Sequence, residues 1–155
     1  MDIKAHDPGN HALRDAIRTG LDQANAERMQ EEGLDPAWQQ RHELLYSVED
    51  AAGDLTGGLI GDVKWGWLYV AVLWVRADQR GTGLGGKLLA QAEADAIALG
   101  AQWAYLSSMT IEAPDYYPRH GYEAFTVLED FPPGGRRPQS ITFLRKRLIP
   151  VGEAA

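Results

Sequence analysis

The sequence predicts an α/β fold of the mixed (α+β) kind in one domain, and three observations predict it. Trp67-Leu68-Tyr69-Val70-Ala71-Val72-Leu73-Trp74-Val75 is wholly apolar or aromatic and rich in β-branched types, the composition of a central strand covered on both faces. A Gly-rich turn then leads into the clearest helical pattern, with Leu84, Leu88, Leu89, Ala92, Ala96 and Leu99 on one face and Lys87, Gln91, Glu93 and Asp95 elsewhere. Gln102 to Met109 reads as another strand. Residues 67–109 therefore form a strand–helix–strand unit, which sets two parallel strands side by side through a right-handed crossover. At 155 residues the chain is long enough to bury roughly two-thirds of its unfolded surface. The expected organisation is one domain over 1–149 and a short tail at 150–155.

The remaining elements follow in chain order. Ile3 marks a short edge strand. Asn10 is a plausible N-cap for a helix in which Leu13 and Ile17 share a face and which Gly20 ends; Leu21 to Glu32 forms a second, polar helix. Gly33-Leu34-Asp35-Pro36 is a break, and Trp38 to His42 has no clear pattern. Leu44 to Val48 is a strand, Asp50-Ala51-Ala52-Gly53-Asp54 a turn, and Thr56 to Lys64 a Gly-heavy second strand. Gly100 closes the long helix. Pro114 opens a short helix that runs to about His120 and stops at Gly121. Glu123 to Leu128 and Ser140 to Leu148 are two last strands, joined by Phe131-Pro132-Pro133-Gly134-Gly135. Trp65, Trp67, Trp74 and Trp103 gather around the central strands, where core packing is the default; the alternative puts one or two in a cleft or on a homodimer surface.

Composition removes several functions. With no Cys the chain has no disulfides, thiolate metal sites or Cys nucleophile, and no metal is expected. The formal charge of −7 argues against broad nucleic-acid binding. No stretch approaches the roughly 20 apolar residues of a membrane span, so no membrane partner is expected. The acidic, polar start Met1-Asp2-Ile3-Lys4-Ala5-His6-Asp7 lacks the apolar core of a signal peptide, so the expected location is cytoplasmic. Charge is uneven: residues 1–62 carry 13 acids and 5 bases, whereas 131–150 carry Arg136, Arg137, Arg145, Lys146 and Arg147 and no acid. Solvated loops and strand edges explain this; so does an acidic surface for a cationic substrate with a basic patch for phosphates.

The chemistry concentrates between Val75 and Leu89. Gly81, Gly83, Gly85 and Gly86 join a buried strand to a helix start, letting backbone approach a ligand with no Cβ in the way. The free N–H groups of the first helical turn, together with the helix dipole, suit an anion such as phosphate, and Arg80 or Lys87 adds charge. A P-loop fails because Gly86-Lys87 is followed by Leu88. Gly81-x-Gly83-x-x-Gly86 does match the dinucleotide fingerprint. It follows several antiparallel-looking strands, however, and lacks the acid about 20 residues on.

Arg80-Gly81-Thr82-Gly83-Leu84-Gly85 resembles the Arg/Gln-x-x-Gly-x-Gly/Ala motif of the GNAT acetyltransferases, and Ala113-Pro114-Asp115-Tyr116-Tyr117-Pro118-Arg119-His120-Gly121-Tyr122-Glu123 resembles that family's aromatic-Tyr-x-x-x-Gly-aromatic signature. The spacing between them and the element order fit across nearly the whole chain. The resemblance implies a GNAT-like mixed sheet of six to seven strands, a splayed central parallel pair and about four flanking helices. It implies acetyl-CoA as cosubstrate. Leu73, Trp74 and Val75 would pair with its pantetheine arm, and the amides of Arg80, Gly81, Thr82, Gly83, Leu84, Gly85 and Gly86 would hold its pyrophosphate. A backbone N–H near Leu73 would polarise the thioester carbonyl. Tyr117 would protonate the departing thiolate, unless it only packs its helix on the sheet. The implied activity is direct transfer of acetyl to a primary amine of a small molecule or peptide. A second reading, from another class, is a non-catalytic acyl-CoA-binding or sensing module. The general base stays open among Glu112, Asp50 and Asp62, with His120 as an assistant or a helix-end partner. Where relatives often carry an Asp, this chain has Leu106-Ser107-Ser108, so no charge is supplied there.

Overall fold

The computed structural model describes residues 3–112 and 115–149. The chain divides into two compact units, Met1–Gln40 and Arg41–Ala155.

In the first unit, helix α1 spans His11–Glu31, with the Asn10 side chain accepting from the Leu13 N–H at its start. Two expectations are corrected here. Ile3 belongs to no strand and is 96% exposed. The two short helices are one: Gly20 sits in mid-helix, where glycine costs stability but does not end a helix unless it turns left-handed. Gly33 does turn left-handed, at φ +68°, just beyond the C-cap Glu32. A 3-10 helix, Pro36–Gln39, follows, its start capped by Asp35.

The second unit is a six-stranded mixed sheet: β1 (His42–Glu49), β2 (Leu55–Lys64), β3 (Trp67–Val75), β4 (Trp103–Met109), β5 (Glu123–Glu129) and β6 (Ser140–Arg147). Their spatial order is β1-β2-β3-β4-β6-β5. Only β3 and β4 are parallel, joined through helix α2 (Leu84–Ala98); the other neighbours are antiparallel. The described residues thus hold six strands and two α-helices rather than about four, because α1 is continuous and the Pro114 segment yields only a 3-10 helix at Tyr117–His120. Ala113 and Pro114 themselves, and the tail at 150–155, lie outside the described residues. Among the described residues no helix is long and apolar enough to cross a membrane.

The core lies between α2 and one sheet face: Leu88, Leu89, Ala92 and Ala96 meet Leu59, Val63, Leu68, Val70, Ala104, Leu106 and Leu144. Period-two alternation on β4 sends Ala104, Leu106 and Ser108 inward. Polar contacts fix the helix in register. Tyr46 of β1 donates to Asp95 at 2.7 Å, while Glu93 accepts from Tyr122 at 3.0 Å and from Lys146 at 2.6 Å. The glycines of β2 answer to its neighbours: a Cβ on Gly61 would lie 2.5 Å from the Tyr69 carbonyl oxygen, and one on Gly58 2.8 Å from that of Tyr46.

The tryptophans are not core residues. Trp65 and Trp74 are 37% and 41% exposed, while Trp67 and Trp103 stack at 5.3 Å on the sheet face opposite the buried Leu68 and Ala104. The C-terminal basic run is largely engaged: Arg145 pairs with Glu123 and lies over Trp103 and Phe125, Arg147 lies over Trp103, and Lys146 pairs with Glu93. Nor is β3 covered along its whole length. Leu68 and Val70 are buried, but Ala71, Val72 and Trp74 are exposed, and the reason is the site.

Candidate active site

The parallel ladder pairs only Trp67–Val70 of β3 with Trp103–Leu106 of β4. On the other edge of β3 the register jumps from Gly61↔Val70 to Ile60↔Val72, leaving Ala71 as an extra, bulged residue. A bulge bends its strand and raises the local twist. From that residue on, β3 and β4 no longer pair with each other, β3 keeping β2 and β4 keeping β6, and a cavity of about 810 Å³ opens beside them. Leu73, Trp74 and Val75 form one wall; Ser107, Ser108 and Glu112 form the other.

The loop from β3 to α2 bounds the cavity. Arg76 anchors it: its N–H donates to the Thr56 carbonyl at 2.8 Å, and its guanidinium donates to Asp78 at 2.7 and 2.9 Å and to Asp50 at 3.0 Å. Hydrogen bonds from the Asp54 backbone N–H, and then from Arg76, hold the Asp50 carboxyl below its ordinary range; Arg76 does the same to Asp78. Gly81 and Gly83 take φ of +80° and +86°, a region costly to residues with a Cβ. The first bond of α2 runs from the Lys87 N–H to the Gly83 carbonyl at 3.1 Å, so the amides of Leu84, Gly85 and Gly86 have no partner within the helix.

Arg80, Gly81, Gly83, Leu84, Gly85 and Gly86 all line the cavity, with Gln79. Thr82 does not. Its hydroxyl donates to the Gln79 carbonyl at 2.7 Å, and it faces a smaller cleft shared with Asp50, Thr56 and Lys87.

The segment after β4 closes the cavity with Tyr116, Tyr117 and His120. The Tyr117 ring packs edge-on to Tyr116 and Tyr122 at 5.3 and 6.1 Å, and its hydroxyl has no hydrogen-bond partner among the described residues. Burial, then the nearby Glu112 carboxylate and Tyr116, push its pKa up to about 12, so the phenol keeps its proton near neutrality. Among the described lining residues Glu112 is the one carboxylate; it accepts from the Met109 N–H at 2.8 Å. Asp50 is committed to Arg76, and Asp62 pairs with Arg41 at 3.2 Å; neither lines the cavity. His120 is more than a helix-end residue, since it forms part of the wall beside Gly86.

Sequence reasoning passed over Ser108, which is 1% exposed, lines the cavity, and has a buried Oγ with no partner. Its inward position on an alternating strand was the available signal. The bulge at Ala71 left none: nothing in an unbroken apolar run marks one residue as extra.

A parallel pair whose ladder ends at Val70 and Leu106, a glycine loop opening a helix and a tyrosine-bearing turn define a protein of one class, and the Acetyltransferase (GNAT) domain family matches residues 41–124. The chain belongs to the GNAT acetyltransferases, which use acetyl-CoA. It is 45% identical over 83 residues to a blasticidin-S acetyltransferase of Streptomyces morookaense, a match covering 53% of this chain and 61% of that protein. It is 37% identical over 107 residues to an acetyltransferase of Agrobacterium fabrum, covering 69% and 75%. An acetyltransferase from Bacillus cereus has the same fold, with a TM-score of 0.74 and 29% identity, over 95% of this chain and 99% of that one.

Proposed function

We propose that this protein is an acetyl-CoA-dependent N-acetyltransferase that moves acetyl directly to a primary amine. One observation carries the reading: the cavity that opens where the ladder ends at Val70 and Leu106 joins a β3 edge without β4, helix-start amides and a tyrosine hydroxyl, both without partners among the described residues.

The pantetheine arm lies along Leu73, Trp74 and Val75 like an added strand, and the diphosphate takes the amides from Arg80 to Gly86. The amine nitrogen attacks the thioester carbonyl. A main-chain N–H near Leu73 steadies the oxyanion. As the C–S bond breaks, its electron pair goes to sulfur, and the Tyr117 hydroxyl gives that sulfur a proton. The ammonium proton leaves to Glu112, the carboxylate of the cavity wall. The proton on Glu112 returns through solvent to the Tyr117 phenolate, so both groups are restored and net transfer consumes acetyl-CoA and amine and releases amide and CoA.

The formal charge of −7 favours a cationic small molecule as acceptor. The test is CoA release from acetyl-CoA against a panel of blasticidin S, an aminoglycoside, lysine and a lysine-bearing peptide, beside thermal shift with CoA, ATP and NAD. CoA alone of the three raises the Tm, and at least one amine accelerates CoA release. Binding of CoA with no release for any amine would reduce the protein to a CoA-binding module.

A further inference from the structure

Gly85 and Gly86 are read above as giving a ligand access to backbone, yet protein atoms already stand where their side chains would begin. A Cβ on Gly85 would lie 2.5 Å from the Tyr116 hydroxyl oxygen and 3.3 Å from the ring carbon that bears it. A Cβ on Gly86 would lie 2.8 Å from Cε1 of His120. The two rings contact each other at 4.6 Å. The Tyr116 hydroxyl is buried with no hydrogen-bond partner among the described residues, so no bond made there by that oxygen explains its place; the fit against Gly85 does. Gly81 and Gly83 differ: a Cβ on either meets nothing within 4 Å, and both have positive φ.

We infer that Gly85 and Gly86 form a notch in the first turn of α2 that receives Tyr116 and His120, and that this seating positions Tyr117 in the cavity. Tyr117 follows Tyr116 directly, and its ring stands edge-on to it at 5.3 Å, so a displaced Tyr116 carries its neighbour with it. Tyr116 and Gly85 are positioning residues. The helix turn that holds the diphosphate and the turn that carries the proton donor are keyed together.

The inference rests on the proposed role of Tyr117 and has its own test. In Gly85→Ala the added methyl leaves the N–H in place but meets the end of a rigid ring. Displacement of the proton donor on the ångström scale lowers kcat by about 10- to 100-fold, read as CoA release with the fastest amine of the panel. The Kd for CoA, measured by calorimetry, stays within about twofold. Adding Tyr116→Phe removes the oxygen at 2.5 Å and leaves only the ring carbon at 3.3 Å, so the Gly85→Ala/Tyr116→Phe enzyme regains at least severalfold of the lost kcat. Weakened CoA binding without rescue would overturn the inference, because the glycine would then serve the ligand; an unchanged kcat in Gly85→Ala would overturn it too. If Gly85→Ala does not fold, Tyr116→Leu, which empties the notch, carries the same expectation of low kcat with intact CoA affinity, and a normal kcat there overturns it. Tyr117→Phe separates the two claims: full activity in that variant removes the proton-donor reading itself, whereas a slow Tyr117→Phe beside a normal Gly85→Ala removes only the notch.

Discussion

Val70 of β3 and Leu106 of β4 are the last paired residues of the parallel ladder, and the cavity starts there, lined by Val70 itself, by the bulged Ala71 and by Ser107. Buried backbone groups need partners. A strand that leaves its neighbour inside a fold is therefore stable only if water or a ligand takes the neighbour's place. The cleft lies where the two strands stop pairing, and the glycine loop and the tyrosine turn are set at its end.

Tyr117→Phe is expected to lower kcat by about 100-fold or more, the usual scale for a lost general acid, while the Kd for CoA changes little. Stopped-flow or steady-state release of CoA, with calorimetry for binding, checks it. A rate equal to that of the unaltered protein takes Tyr117 out of the mechanism.

Gly83→Trp is expected to abolish CoA binding. Gly83 lines the cavity at φ +86°, so the indole both strains the turn and fills the place assigned to the diphosphate. Calorimetric titration with CoA reads the outcome, and retained affinity would mean the loop holds something else.

Gly61→Ala is expected to destabilise the fold by about 1–3 kcal/mol, as overpacking does. The new Cβ would stand 2.5 Å from the carbonyl oxygen of Tyr69, a main-chain atom that cannot rotate away. Urea denaturation followed by tryptophan fluorescence should show a lower midpoint with the slope unchanged; an unshifted midpoint would mean the two strands separate there at no cost.

High pH gives a separate check. Tyr46, raised by burial and then by its bond to Asp95, and Tyr117, raised by burial and then by Glu112, both sit at about 12 against an ordinary 10. A group whose folded pKa is raised contributes its stability fully below the unfolded value, and that contribution is lost as pH rises through the folded value. Tm should therefore fall between pH 10 and about 12, with late phenolate absorbance that comes forward to ordinary values in urea. Tyrosines that all titrate near 10 in the folded protein would contradict it.

The sheet is largely legible because its strands are short, β-branched and cut by Gly and Pro; the apolar run Trp67–Val75 coincides with β3 at both ends. The sequence pattern divides α1 in two at Gly20, but that glycine stays helical, and the left-handed Gly33 is the one that follows the helix end. At the site, the backbone features were visible as residue types: glycines before a helix, a tyrosine before a turn. The features that depend on contact across the fold were not. Nothing in the sequence distinguishes Gly81 and Gly83, which serve φ, from Gly85 and Gly86, which make room for Tyr116 and His120. Among three candidate acids, only the fold puts Glu112 on the cavity wall while Asp50 and Asp62 pair with arginines.

A crystal structure with bound acetyl-CoA tests the account most directly. The expected density runs between β3 and β4 from Leu73 to Val75, with the diphosphate on the amides of residues 80–86 and the sulfur within hydrogen-bond reach of the Tyr117 hydroxyl. Acetyl-CoA bound anywhere else, or with its sulfur remote from Tyr117, would contradict it.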